Sequence, residues 1–284
     1  MTAHPGRAAD RGERLPTIRL ATWNLLHGRS LHHGQVLAAD LHTGAQMLDA
    51  DVVALQEVDR SQPRSSGADQ AAVVAAGLGA SWHRFVPALW GEPGGRWEAA
   101  TDAERSTAEP DASRPGYGIA LVSRLPVLDW AMLSFPPARI GMPLLVPGRG
   151  LVKVDDEPRL ALAARVEGPG GPLTVVATHL SFVPGVNVRQ LRAITRWAES
   201  WPAPRVLLGD LNMPGRLPAW ASGWRQMARL ATYPSWKPRV QFDHVLAHPA
   251  TPVAVSGAVS RRLPVSDHNP VVVTASLPPV GATP

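Results

Sequence analysis

Apolar runs rich in β-branched residues recur along the chain, and each ends in polar residues. They cover residues 18–26, 52–58, 118–123, 160–166, 173–180, 206–211, 242–246 and 270–275. Their alternation and branching predict strands, several of them buried on both faces. Two of the gaps show helical spacing instead. One spans about 34–48, and the other, between residues 180 and 206, carries Val188, Leu191, Ile194, Trp197 and Trp201.

The two halves repeat one layout. The first reads strand, Asn24, helix, strand, Glu57; the second reads strand, His179, helix, strand, Asp210. The intervals are 57 − 24 = 33 and 210 − 179 = 31 residues. Each half then adds a strand, near 118–123 and 242–246. The simplest architecture is α/β: two similar sheets packed face to face with helices outside. Polar strand ends from both halves then meet at one edge of the sandwich. Residues 91–116, rich in Gly, Pro, Ala and Glu, break the pattern and read as a long surface loop.

Composition narrows the chemistry. A chain of 284 residues buries a substantial core, and 45% hydrophobic with 18% charged residues is a globular composition. There is no cysteine, which excludes disulfides, Cys-ligated zinc and a thiol nucleophile and fits a cytoplasmic location. Residues 1–17 are polar with no apolar core of a leader, and the tail after residue 277 is Pro-rich. Both are expected to be flexible termini, leaving one domain over 18–277. No apolar run approaches the roughly 20 residues of a membrane span.

The net charge of +5 favours an anionic partner. Only Lys153 and Lys237 are lysines, so the basicity is arginine in a chain also rich in Ala and Pro, and by itself it says little. Its distribution says more. In 91–116 six acids (Glu92, Glu98, Asp102, Glu104, Glu109, Asp111) outweigh Arg96, Arg105 and Arg114, a poor nucleic-acid clamp. In 213–262 seven basic residues (Arg216, Arg225, Arg229, Lys237, Arg239, Arg261, Arg262) face one acid, Asp243, with Trp220, Trp224 and Trp236 among them. That stretch is the better surface for a polyanion.

The strand ends hold the candidate chemistry. Asp210 and Asn212 in Leu208-Gly209-Asp210-Leu211-Asn212 share a face, so a carboxylate can direct a water while an amide binds phosphate. The same residues also form turns. Glu57 in Leu55-Gln56-Glu57-Val58-Asp59 offers a carboxylate suited to Mg²⁺, or else pairs with Arg60. Asn24 ends Thr22-Trp23-Asn24, where it either joins a site or caps a turn. In Ser266-Asp267-His268-Asn269-Pro270 an acid and an imidazole are adjacent, and Asp243 in Phe242-Asp243-His244 can fix the tautomer of His268. His179 closes a hydrophobic strand, where a lone histidine is often structural. There is no P-loop, no H-E-x-x-H and no Ser or Cys nucleophile motif. A phosphate-directed hydrolase with one hard cation and a His–Asp pair fits this inventory best. A binding module that has kept the set without catalysis is the alternative of another class.

These motifs, in order from residue 18 to 277, resemble the endonuclease/exonuclease/phosphatase superfamily of DNase I-like proteins. They are Ala21-Thr22-Trp23-Asn24, Leu55-Gln56-Glu57-Val58, Gly116-Tyr117-Gly118-Ile119-Ala120-Leu121-Val122-Ser123-Arg124, Thr178-His179-Leu180, Gly209-Asp210-Leu211-Asn212, Phe242-Asp243-His244-Val245 and Ser266-Asp267-His268. The resemblance implies a four-layer α/β sandwich and hydrolysis of phosphoesters, nucleic acid foremost, with small or lipid phosphoesters as the other class. It implies Glu57 as the main Mg²⁺ ligand, assisted by Asn24 and Asp267, with Mn²⁺ an acceptable substitute. Asp210 then aligns or activates water, Asn212 orients it, and His268, supported by Asp243, stabilises charge or moves a proton. His179 contacts the phosphate or the leaving oxygen. One departure stands out: Ile119 sits near a position where many members carry Asn, leaving Tyr117 to supply any contact there.

Overall fold

The computed structural model describes residues 16–107, 111–146 and 150–277. In chain order the first strands are β1 (Thr17–Asn24), β2 (Val52–Arg60), β3 (Trp82–Gly91), β4 (Trp97–Ala99) and β5 (Gly116–Ser123). Next come β6 (Val127–Phe135), β7 (Met142–Val146), β8 (Gly150–Val154), β9 (Arg159–Gly168) and β10 (Gly171–His179). The last are β11 (Arg205–Asp210), β12 (Arg225–Gln226), β13 (Asp243–Ala247), β14 (Ala254–Ser260) and β15 (Val271–Ser276). The helices are α1 (Ala38–Leu48), α2 (Gln70–Leu78), α3 (Asp102–Ser106), α4 (Val186–Ala198) and α5 (Leu217–Ser222).

Two mixed sheets face each other. One runs β14-β15-β1-β2-β5-β3-β4 and the other β12-β13-β11-β10-β9-β6, with β7 and β8 as a separate hairpin. The repeated layout survives in the pairing: β1 lies parallel to β2 as β10 does to β11, and antiparallel β5 and β13 follow. The last strand does not stay with its half. β15 returns to the first sheet beside β1 and so carries the 266–268 turn across to the site.

Strand parity builds the layers. Leu20, Val52, Ala54, Leu162, Val175, Ala177, Val206, Leu208, Val245 and Val273 fill the space between the sheets. Their neighbours of opposite parity face outward. Trp23, Val53 and Leu55 pack beneath α1 and α2 with Leu41, Leu48 and Val74. Val176 and Leu207 pack beneath α4 and α5 with Leu191, Ile194 and Ala221. The result is the four-layer α/β sandwich. Each Leu or Val taken out of water in these layers contributes about 1.5–3 kcal/mol, so the parity is strongly enforced.

Seven strands (β3, β4, β6, β7, β8, β12 and β14) lie outside the predicted runs, and three of them show why. β3 mixes His83, Arg84 and Pro87 with its apolar residues, β6 is only half-buried along most of its length, and β14 is an exposed edge. The 91–116 segment is not one loop. It contains β4 and α3, and α3 starts with a reciprocal capping box between Thr101 and Glu104. Thr17, placed in the N-terminal tail by the sequence, opens β1; residues 1–15 and 278–284 lie outside the described residues.

Gly209 on β11 leaves no room for a side chain against the parallel strand β10. A Cβ there would fall 2.1 Å from the carbonyl oxygen of Thr178. Gly209→Ala is therefore expected to cost roughly 2–3 kcal/mol by forcing β10 and β11 apart. Urea unfolding checks this, and an unchanged midpoint would contradict it.

Candidate active site

The site is the polar continuation of the inter-sheet core. Residues 20, 22 and 24 on β1, 175, 177 and 179 on β10, 206, 208 and 210 on β11, and 243, 245 and 247 on β13 each share one parity. Where these series leave the apolar interior they end in Asn24, His179, Asp210 and Asp243, all buried. Register aligns them across the second sheet: His179 pairs with Asp210, and Asp210 with Asp243.

Glu57 has the wrong parity, and a bulge corrects it. Gln56 continues the inward series and accepts a hydrogen bond from Thr22 Oγ1 at 3.1 Å. The β2–β5 register then shifts between Leu55 and Val58, and Glu57 takes a left-handed φ of 54°. Asn212 (φ 48°) and Ser266 (φ 83°) are left-handed as well. Such backbone is costly for residues other than glycine and concentrates where side chains must be aimed. Ser266 also staples the turn: its Oγ donates to the Asn24 carbonyl at 2.6 Å and accepts from the His268 N–H at 3.0 Å.

All eight residues singled out in the sequence converge here. The Asn24 amide bridges two acids, donating to Glu57 Oε1 at 2.9 Å and Asp210 Oδ2 at 3.0 Å, while its oxygen accepts from the Leu26 N–H at 3.0 Å. Asp210 Oδ1 accepts from the Asn212 N–H at 2.9 Å. Asn212 Nδ2 donates to the Leu180 carbonyl at 2.9 Å. His268 Nδ1 lies 2.9 Å from Asp243 Oδ2 and 3.7 Å from Asp210 Oδ2. Glu57 does not pair with Arg60, which binds Asp69 at 3.2 Å. Tyr233 covers His268 with ring centroids 4.9 Å apart, and Phe242 packs on Tyr233.

Electrostatics sort these groups. Burial, then the charge of Asp267, pushes Glu57 up to about 7 against its hydrogen bond from Asn24. Burial likewise lifts Asp210 to about 6, opposed by His268 and assisted by Asp243. Asp267 is raised by burial. Burial alone would strip the proton from His268, but Asp243 and then Asp210 outweigh it and raise the ring to about 10. His268 is therefore an imidazolium at neutral pH. His179 is held well below the ordinary histidine range by burial and by Arg159.

Four carboxylates thus share a pocket with one imidazolium. Glu57 and Asp267 have no ion-pair partner among the described residues, and both keep some exposure while Asp210, Asp243 and His268 are buried. Two partly exposed carboxylates without an ion-pair partner among the described residues suit a hard divalent cation. Asp210, Asp243 and His268 form a second group, with ligand atoms within 4.8 Å of one another. In that group the Nδ1 of His268 is already engaged by Asp243.

Several neighbours of the site were missed. Arg159, Asp156 and Tyr233 lie in no motif, and only the register pairing Leu160 with His179 would have pointed to Arg159. Tyr117 is buried, with the Arg64 guanidinium 5.6 Å from its ring centre, and shares a small recess with Arg159 and His179. Ile119 belongs to the inter-sheet core.

The His268–Asp243 pair has a signed pH dependence. A ring raised from 6.5 to about 10 contributes stability fully below about pH 6.5 and loses it as pH climbs through about 10. Asp243→Asn should therefore cost about 3 kcal/mol at pH 6 and progressively less towards pH 10. Denaturant unfolding of both proteins in chelator checks this; a cost that stays constant or grows with pH would contradict it.

Comparison with known proteins agrees with the fold. The family model described as Endonuclease/Exonuclease/phosphatase matches residues 21–268. An endonuclease/exonuclease/phosphatase from Beutenbergia cavernae is 23% identical with a TM-score of 0.60, over 93% of this chain and 72% of that one. The catalytic domain of human Nocturnin, solved with a sulfate anion, is 18% identical with a TM-score of 0.56, over 92% and 94%. A mannosyl-6-phosphatase from Bacteroides thetaiotaomicron is 12% identical with a TM-score of 0.57, over 92% and 100%. A comparison with curated proteins finds no match. At these identities the solved structures share the fold, and the family match extends over most of the chain. The chain belongs to the endonuclease/exonuclease/phosphatase family, whose members hydrolyse phosphoesters.

Proposed function

We propose that residues 18–277 form one catalytic domain that hydrolyses phosphodiesters with Mg²⁺, nucleic acid being the leading substrate class. The observation that carries this reading is the division of the pocket. One carboxylate, Asp210, sits between a cationic His268 and the Asn24 bridge, while Glu57 and Asp267 have no ion-pair partner among the described residues.

In this reading Glu57, with Asp267 and Asn24, holds the cation, and Mn²⁺ can replace Mg²⁺. When bound, the cation neutralises a phosphoryl oxygen and so makes phosphorus more electrophilic. Asp210 receives a proton from the attacking water. Its elevated pKa of about 6 places it near the optimum for a base at neutral pH. The Asn212 N–H that binds Asp210 Oδ1 fixes the direction of the other oxygen. His268, kept cationic by Asp243, faces the negative charge that builds on phosphorus oxygens. Having no cysteine, the chain is compatible with a cytoplasmic site of action.

Surface features support nucleic acid. Trp236, Lys237 and Arg239 are exposed on a loop whose Ser235 N–H and Oγ bond to the Asp267 and Ser266 carbonyls. Trp220 is 76% exposed, whereas Trp224 is buried and offers no stacking face. Part of the charge of the acidic segment is offset within it, since Arg114 pairs with Glu98 and Glu104, and Arg105 with Asp102. A second reading, an ester with an apolar portion, has its own support. A groove of about 510 Å³ lined by Phe135, Pro136, Pro137, Ile140, Val183 and Val186 opens beside the β10 end.

Turnover of bis-p-nitrophenyl phosphate with Mg²⁺ is expected to fall by roughly 10²–10⁴ in Asp210→Asn and in His268→Ala. Unchanged turnover in either would overturn the assigned roles, and no turnover by the wild type on DNA, RNA or phospholipid would favour a binding module. On nucleic acid the rate should fall steeply with salt; a flat salt response would favour the apolar ester.

A further inference from the structure

Arg159 opens β9 directly beside the catalytic end of β10. Its guanidinium is buried and firmly anchored, 3.2 Å from Asp156, 3.8 Å from Glu157 and 5.8 Å from the centre of the Phe182 ring. Asp156 is fixed in turn by Ser181 Oγ at 2.8 Å and the Ala138 N–H at 2.9 Å. So held, Arg159 Nη1 lies 3.2 Å from Nδ1 of His179.

A guanidinium only donates, so His179 Nδ1 must present its lone pair. A neutral imidazole that accepts at Nδ1 carries its proton on Nε2. A second proton on the ring would point Nδ1–H at an immobile cation, so the charged form is opposed by the same contact. Asn212 Nδ2 gives one hydrogen to the Leu180 carbonyl at 2.9 Å and turns its second towards Nε2 at 3.3 Å, so both ring nitrogens face a donor. The Asn212 contact is the one that yields, because its donor is neutral and the Arg159 donor is a cation held in place by Asp156. Nε2–H is then turned to the Asp210 side of the pocket, 3.8 Å from Oδ2. That distance is beyond a hydrogen bond, so the donor is left for a substrate oxygen.

We propose that Arg159 is a positioning residue that locks His179 as the neutral Nε2–H tautomer, making His179 a hydrogen-bond donor to a phosphoryl oxygen and not an acid that transfers a proton. The assignment rests on the phosphodiesterase reading for the identity of the oxygen, but not for the tautomer. Loss of the Nε2 proton would leave an imidazolate, which is too basic to form at neutral pH. The two histidines of the site are thereby set in opposite states by opposite partners. His268 is charged by the carboxylate of Asp243, and His179 is kept neutral by the guanidinium of Arg159, as burial also favours. A neutral imidazole used as an electrophile is an established catalytic device.

The test is long-range ¹H–¹⁵N correlation of the histidine rings in labelled full-length protein, with His179 assigned by the signals lost in His179→Gln. The wild type should show Nε2 protonated and Nδ1 bare from pH 6 to 8. Arg159→Lys, which keeps a donor, should preserve that pattern, and Arg159→Met should mix the tautomers and return the titration of the ring towards 6.5. A wild-type ring protonated at Nδ1, or an Arg159→Met spectrum identical to wild type, would overturn the proposal. The wild-type spectrum decides the tautomer even where a variant is unstable, and it needs no turnover, so it is independent of the activity assays. On bis-p-nitrophenyl phosphate, Arg159→Met should lower kcat roughly tenfold or more with little change in KM, and Arg159→Lys should recover most of it. A loss confined to KM, or no recovery with lysine, would contradict the positioning role.

Discussion

Like charges gathered in a dry place govern this molecule. Glu57, Asp210, Asp243 and Asp267 come from β2, β11, β13 and the turn before β15, and they meet where the two sheets end. Left alone such a cluster would protonate or push the sheets apart. Each acid is instead given a separate remedy: Asp243 has the imidazolium of His268, Asp210 has Asn24 and the Asn212 N–H, and Glu57 and Asp267 keep partial exposure. The last remedy is incomplete, and in the proposed function a cation completes it. Chemistry at the site follows from which acid is satisfied by the protein and which is left for a ligand.

The apolar core makes this arrangement possible. Inter-sheet parity carries Leu20, Val175, Leu208 and Val245 into the interior and delivers Asn24, His179, Asp210 and Asp243 at the rim without further instruction. Only Glu57 needs a local exception, and the bulge with its left-handed backbone provides it. Gly209 lets the two parallel strands approach closely enough for His179 and Asp210 to be neighbours. Folding energy and catalytic geometry are therefore the same set of strands read at two depths.

This explains what could be read in the sequence. Buried strands with regular alternation announced themselves, and their polar ends exposed the site residues because polarity at the end of a buried series is conspicuous. The halves of matching length anticipated the two sheets, though not the return of β15 to the first. β14 has no buried face to leave a pattern, and α2, Gln70–Leu78, is nearly all apolar and so shows no periodicity. The composition of 91–116 signals a loop and masks the Thr101–Glu104 capping box that starts α3 inside it. Arg159 was hidden for a different reason. Its meaning depends on which residue β10 places opposite it, and register between strands is not written in either strand alone.

The central claim is that Glu57, not the buried acid–histidine group, takes the cation. Crystals grown with Mn²⁺ and measured for anomalous scattering test it most directly. A single strong peak is expected against the carboxylate of Glu57, with Asp243 still bonded to His268. A peak between Asp210 and Asp243 with His268 as a ligand would contradict it, because the imidazolium and the base would then be one metal site.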